Sequence, residues 1–261
     1  MHEGTVSVKL RRQDRAIVVV GAAALALLGW AYLFYQSWAM QHMDLVAMAM
    51  PSTGPWGPTD LLLVFAMWAV MMVAMMVPSA TPMLLTFAMV ARSRRAQGRA
   101  FVPVWVFLAG YLAAWTAYSL AATLAQWGLH RLALISPMMV ATSPLLGGLV
   151  LMAAGLYQWT SFKRACLRHC RTPLHFLLSC WQDGPANAFL MGLRHGTYCL
   201  GCCWLLMAIL FAVGVMNLAW IAALSVFVLL EKSISRGVWV AKVAGFVLVG
   251  WGGWIALSGG G

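Results

Sequence analysis

The run HGTYCLGCCW, residues 195–204, sets His195, Cys199 and Cys203 four residues apart, and Met207 continues the step. Cys202 follows Cys199 by three. On a helix, residues three and four apart share a face. Imidazole, thiol and thioether groups would therefore form one stripe. Soft metals such as Cu(I) prefer these donors, and zinc takes thiolate and imidazole. The competing reading is packing alone, since a buried cysteine behaves as a small hydrophobe.

A second set lies in MWAVMMVAMMVPSATPM, residues 67–83. Met67, Met71 and Met75 step by four, as do Met72 and Met76, and Met83 follows two prolines. Thioethers ligate Cu(I) with no proton to lose. Pro78 and Pro82 are expected to kink this helix and free carbonyls, which a membrane tolerates only against protein or water. Methionine is also a routine apolar filler.

The third set is KRACLRHCRTP, residues 163–173, where Cys166 and Cys170 share a helical face with His169 between them. Arg168 and Arg171 should favour thiolate there. The alternative is a basic interfacial segment facing lipid headgroups. Elsewhere, Asp60 is read as a helix cap, and Glu231 with Lys232 as an anchor at a helix end. His42, His130, Met138 and Met139 are too scattered to form a site. No Ser/His/Asp triad, phosphate loop or HExxH arrangement is present, so an enzyme is the less favoured class.

The elements that must hold these groups are apolar. The chain has 261 residues, of which 63% are hydrophobic and 9% charged, and its mean hydropathy is +0.84. Soluble domains carry about 25% charged residues. The composition specifies an all-α polytopic transmembrane bundle of about seven spans, near 16–36, 60–91, 102–127, 144–161, 198–215, 217–231 and 240–258. Six spans plus a re-entrant segment is the alternative. The fifth and sixth nearly touch at Met216–Asn217, as in a tight hairpin. The fourteen tryptophans suit interfacial belts.

The net charge of +11 invites a nucleic-acid reading, but in a membrane chain it is first an orientation signal. With seven spans and a cytoplasmic N-terminus, all of the seventeen basic residues except Arg131 fall on the inner side. The expected organisation is a basic arm over 1–15 and one transmembrane domain over 16–261. The latter includes a cytoplasmic Cys/His-rich loop at 162–197. No cleavable leader is evident, since the basic start runs directly into a long apolar segment. Cytosolic thiols stay mostly reduced, which disfavours a structural disulfide.

Three blocks, WAVMMVAMMVPSATPM (68–83), YQWTSFKRACLRHCRTP (157–173) and GLRHGTYCLGCCWLLMAILFAVGVMNLAWIAALSVFVLLEK (192–232), resemble the predicted metal-binding integral membrane proteins, a bacterial family of unknown function. The resemblance implies a multi-helix membrane protein that binds metal. It supports Cys199, Cys202 and Cys203 as the core of the motif, with Cys166 and Cys170 next.

Three functions compete. The favoured one is binding of a soft metal ion, copper(I) before zinc, by Cys199, Cys202, Cys203, His195, Met207, Cys166, Cys170, Met72 and Met76, for transport or homeostasis in the bacterial inner membrane. The second is thiol–disulfide redox chemistry. The third is a non-catalytic subunit or assembly factor, with the glycine-rich GFVLVGWGGW (245–254) as a close-packing surface. The expected partners are lipid, the metal ion, and a membrane protein or a second copy of the chain, with no nucleic acid.

Overall fold

The structure, a computed structural model, describes residues 12–41, 56–134, 143–234 and 237–258. Most of the basic arm, residues 51–55 of the Pro/Gly turn cluster, His42, Met138 and Met139 lie outside these. The described residues form helices and no strand: α1 (Arg12–Gln41), α2 (Pro58–Ala96), α3 (Val104–Arg131), α4 (Pro144–Tyr157), α5 (Ser161–Arg171), α6 (Pro173–Cys180), α7 (Pro185–Val213), α8 (Leu218–Ser233) and α9 (Gly237–Ser258).

Helices α1, α2, α3, α7 and α9 are long and apolar enough to cross a membrane. The pair α4 and α5 is bent by 65° at its break and makes a sixth candidate if it is one span. The expected short span at 217–231 is α8, with 16 residues. At 1.5 Å per residue it reaches about 24 Å, short of the ~30 Å of a bilayer core.

Residues 162–197 form helices α5 and α6 and the first part of α7. Helix α7 therefore starts well before position 198 and carries CLGCC at its middle. Its polar N-terminal residues do not break it. Arg194 points outward while His195 turns into the core.

Small residues set how closely the helices approach. A Cβ on Gly110 of α3 would run into the backbone of Phe189, and one on Gly192 of α7 into that of Phe107. Helices α3 and α7 thus meet backbone to backbone, the packing that small residues permit in membranes. Overpacking typically costs about 1–3 kcal/mol. Gly192→Val is expected to reach the upper end of that range, because the obstacle is main chain, and a lowered thermal midpoint in detergent would register it.

Helices α4 and α9 do the same. Gly245 packs on Gly155 and Trp159, and Gly252 on Gly148 and Met152. Two glycines of the 245–254 run are therefore used within the chain, while Gly250 and Gly253 face open space.

Helix α2 runs unbroken through Pro78 and Pro82. Hydroxyls crowd this stretch. Ser79 and Tyr111 donate to the Met76 carbonyl, Thr81 to Val77 and Thr86 to Pro82, and Ser225 of α8 reaches Met75. Local donors thus supplement backbone bonding beside the two residues that lack an N–H. Asp60 caps the helix as expected, accepting from the Gly57 N–H at 2.8 Å.

Candidate metal centre

The core of the molecule is built around the predicted ligands. Cys199, Cys202, Cys203 and Met207 of α7 share one buried cluster with Met67, Met71, Met72, Met75 and Met76 of α2 and Cys166 of α5. His195 is buried on the same α7 face, one turn below Cys199. The sequence separated the methionine set from the cysteines of α7 by more than a hundred residues, and the fold puts them in one interior.

The two cysteine groups also meet. Helix α5 lies across α7 so that the Cys166 sulfur sits over Gly201, where an added Cβ would come within 2.8 Å of it. Tyr157, just before the α4–α5 bend, donates to the Gly201 carbonyl. One turn on, the Cys170 side chain interacts with those of Cys199 and Cys202. A side chain at 201 would have to push the Cys166 sulfur aside.

Cys199 is the hub. The Lys232 ammonium of α8 donates to its sulfur at 2.9 Å and to the Ser79 hydroxyl of α2 at 3.0 Å. The Tyr111 hydroxyl of α3 lies 3.1 Å from the same sulfur. Four helices, α2, α3, α7 and α8, thus converge on one thiol. The ammonium is a charge-assisted donor to that sulfur.

Cys202 and Cys203 turn their thiols to the Cys199 carbonyl, at 3.0 and 2.9 Å. Their protons point back along the helix rather than toward a common centre. Accordingly, among the described residues no three or more His, Cys, Asp or Glu side chains are arranged to hold a metal ion. Rotation about χ1 would be needed to aim these sulfurs at a shared point.

Two histidines complete the surroundings. The His195 ring lies among Phe107, Tyr111 and Phe176, with its Nδ1 buried and unpartnered. An orphaned buried nitrogen is unusual and asks for a ligand or a proton donor. His169 stacks on Tyr198 at 4.1 Å, and its Nδ1 faces the Ala165 carbonyl at 2.9 Å. A carbonyl only accepts, so that nitrogen carries the proton.

Sequence reasoning missed the cation at the hub. Glu231 and Lys232 do not anchor a helix end at the surface. Glu231 is fully buried and pairs with the equally buried Lys163 of α5 at 2.8 Å, while Lys232 turns to Cys199. The signal was an adjacent acid and base closing an apolar run, but only the fold supplies their partners. Ser79 and Tyr111 were missed for the same reason. Arg171 donates to the Ile234 carbonyl at 2.6 Å.

Cys180 stands apart. Its thiol donates to the Phe176 carbonyl at 3.0 Å. Burial pushes its pKa up, and Arg194 offsets part of that rise.

A family model described as copper chaperone, PpoB2, matches residues 65–255. No curated protein and no solved structure matches the chain.

Proposed function

The chain belongs to the PpoB2 copper chaperone family, and from that premise we propose that it is a multi-pass protein of the bacterial inner membrane that takes Cu(I) as cargo at Cys199. Cys202, Cys203, Cys166 and Cys170 supply further thiolates, His195 and Met207 extend the set along α7, and Met72 and Met76 offer thioethers from α2. The observation that carries this reading is the crossing of α5 over α7, which brings the two cysteine groups against each other at Gly201.

The donor chemistry favours Cu(I) over zinc. Thioethers suit Cu(I), and zinc sites are built from thiolate, imidazole and carboxylate. The buried carboxylate nearest the thiols in sequence order on α8, Glu231, is committed to Lys163. Lys232 already places a positive charge on the Cys199 sulfur. An incoming monovalent cation would take over that electrostatic role. Binding exchanges thiol protons for metal, and it requires Cys202 and Cys203 to release the Cys199 carbonyl. A path from the thioethers of α2 to the thiolates of α7 would carry the ion through the core, with the N-terminus of the chain in the cytoplasm.

The test is elemental analysis of purified protein, wild type beside a Cys199/Cys202/Cys203→Ser triple variant, after anaerobic loading with Cu(I). The expected result is near-stoichiometric copper that disappears in the variant. Metal in neither protein would overturn the reading. It would favour thiol–disulfide exchange, for which the contact of Cys170 with Cys199 and Cys202 supplies a ready pair.

A further inference from the structure

The thiols of Cys199, Cys202 and Cys203 are at most 1% exposed. Cargo that binds there must cross packed protein. Helix α3 carries a feature that meets the metal site only at Tyr111. Tyr111, Trp115, Ser119 and Thr123 step by four, and Gln126 follows. All five are at most 2% exposed. They form one polar stripe facing the interior of an otherwise apolar bundle.

The hydrogen bonding of this stripe is incomplete in a patterned way. Ser119 donates to the Trp115 carbonyl at 2.9 Å and Thr123 to the Ser119 carbonyl at 2.8 Å. Their hydroxyl protons are used, so their oxygens remain as acceptors. The Trp115 indole N–H and the Gln126 amide nitrogen are buried donors with no partner. Two acceptor oxygens, of Ser119 and Thr123, thus lie between two unpartnered donors, of Trp115 and Gln126.

At one end, Gln126 accepts from Trp68 of α2 at 2.6 Å, and beyond it His130 stacks on Trp56. At the other end, the Tyr111 hydroxyl touches the Cys199 sulfur. Tyr118 donates to the Trp204 carbonyl of α7, and Trp68 packs on Phe211. The stripe therefore runs where α2, α3 and α7 meet, over about 22 Å at 1.5 Å per residue. Buried polar groups in membrane helices face the bundle interior or water, and they mark ion pathways. Unpartnered buried polar groups call for bridging water.

We propose that the stripe Tyr111–Trp115–Ser119–Thr123–Gln126 lines a hydrated conduit between α2, α3 and α7, along which a small monovalent cation passes from the His130 end of α3 to the Cys199 sulfur. The identity of that cation as Cu(I) rests on the function proposed above, whereas the hydration of the stripe does not. Thioethers of α2 form the facing wall and stabilise a soft ion stripped of part of its water.

The experiment places single cysteines in the full chain with the six native cysteines changed to serine, in sealed vesicles. A membrane-impermeant cationic methanethiosulfonate is added on the side bearing His130. Ser119→Cys and Thr123→Cys are expected to react about tenfold or more faster than Leu120→Cys, whose position lies on the outer face among apolar surroundings. Equal or slower reaction at 119 and 123 overturns the conduit.

Should the cysteine-free chain not fold, silver ion is applied to vesicles of the otherwise native chain, and protection of Cys199 from alkylation is followed. Ser119→Leu, which fills the stripe, is expected to slow that protection about tenfold or more. An unchanged rate overturns the proposal. Labelling at 119 and 123 does not depend on copper. A chain that labels but takes up no copper refutes only the cargo reading. Stoichiometric copper with 119 and 123 unlabelled refutes only the conduit.

Discussion

Glu231→Gln is expected to cost roughly 3–5 kcal/mol of stability, the usual consequence of breaking a buried ion pair from one side. The Lys163 side chain is 1% exposed and the Glu231 side chain 0%. Neutralising the acid leaves an ammonium in a low-dielectric interior with only an amide beside it. Lys163→Met should be equally damaging, because it strands the carboxylate. The double variant Lys163→Met/Glu231→Leu should recover most of the loss, since two apolar chains of similar size can fill the same space without a charge to solvate. Unfolding midpoints of the four proteins in one detergent measure these differences. If the single and double variants lost stability equally, the pair would not be an electrostatic unit.

Cys199→Ser should remove more Cu(I) affinity than any other single change in the cluster. Residues that merely orient a ligand cost roughly 10–100-fold in affinity when removed, and loss of the hub sulfur is expected to exceed that. Cys199 alone is contacted by Lys232, Tyr111 and the neighbouring thiols. Cys202→Ser and Cys203→Ser each remove a sulfur that bonds only its own helix and the thiols beside it, so smaller losses are expected. Cys180→Ser should leave affinity unchanged. Competition with a Cu(I) chelator of known affinity measures all four. A rank order with Cys180 above Cys199 would dismantle the assignment.

Much of this was legible from residues alone. The apolar composition specified helices, and the four-residue steps of methionine and cysteine correctly placed each set on one buried face. Asp60 declared its cap by sitting three residues after the glycine whose N–H it takes. Less legible was anything that depended on which helix lies beside which. The N-terminal extent of α7 was hidden because Arg194 and His195 look like the end of an apolar segment, yet one faces outward and the other is wrapped in aromatic rings. Lys232 looked like a terminal anchor because its partners, Cys199 and Ser79, are 33 and 153 residues away. Local pattern carries periodicity, not the identity of a neighbour across the core.

The end of α8 has a consequence for how this chain can change. Glu231 and Lys232 are consecutive, so they project about 100° apart around the helix axis. One is tied to α5, the other to α7 and α2. Two ties at fixed angles act as a key in a keyway and leave α8 a single rotational setting. One residue inserted between Asn217 and Glu231 would turn both prongs out of their slots at once, stranding an acid, two bases and a thiol together. The exposed positions of α8, such as Val226 and Leu230, are free to drift among apolar residues, but its length is locked.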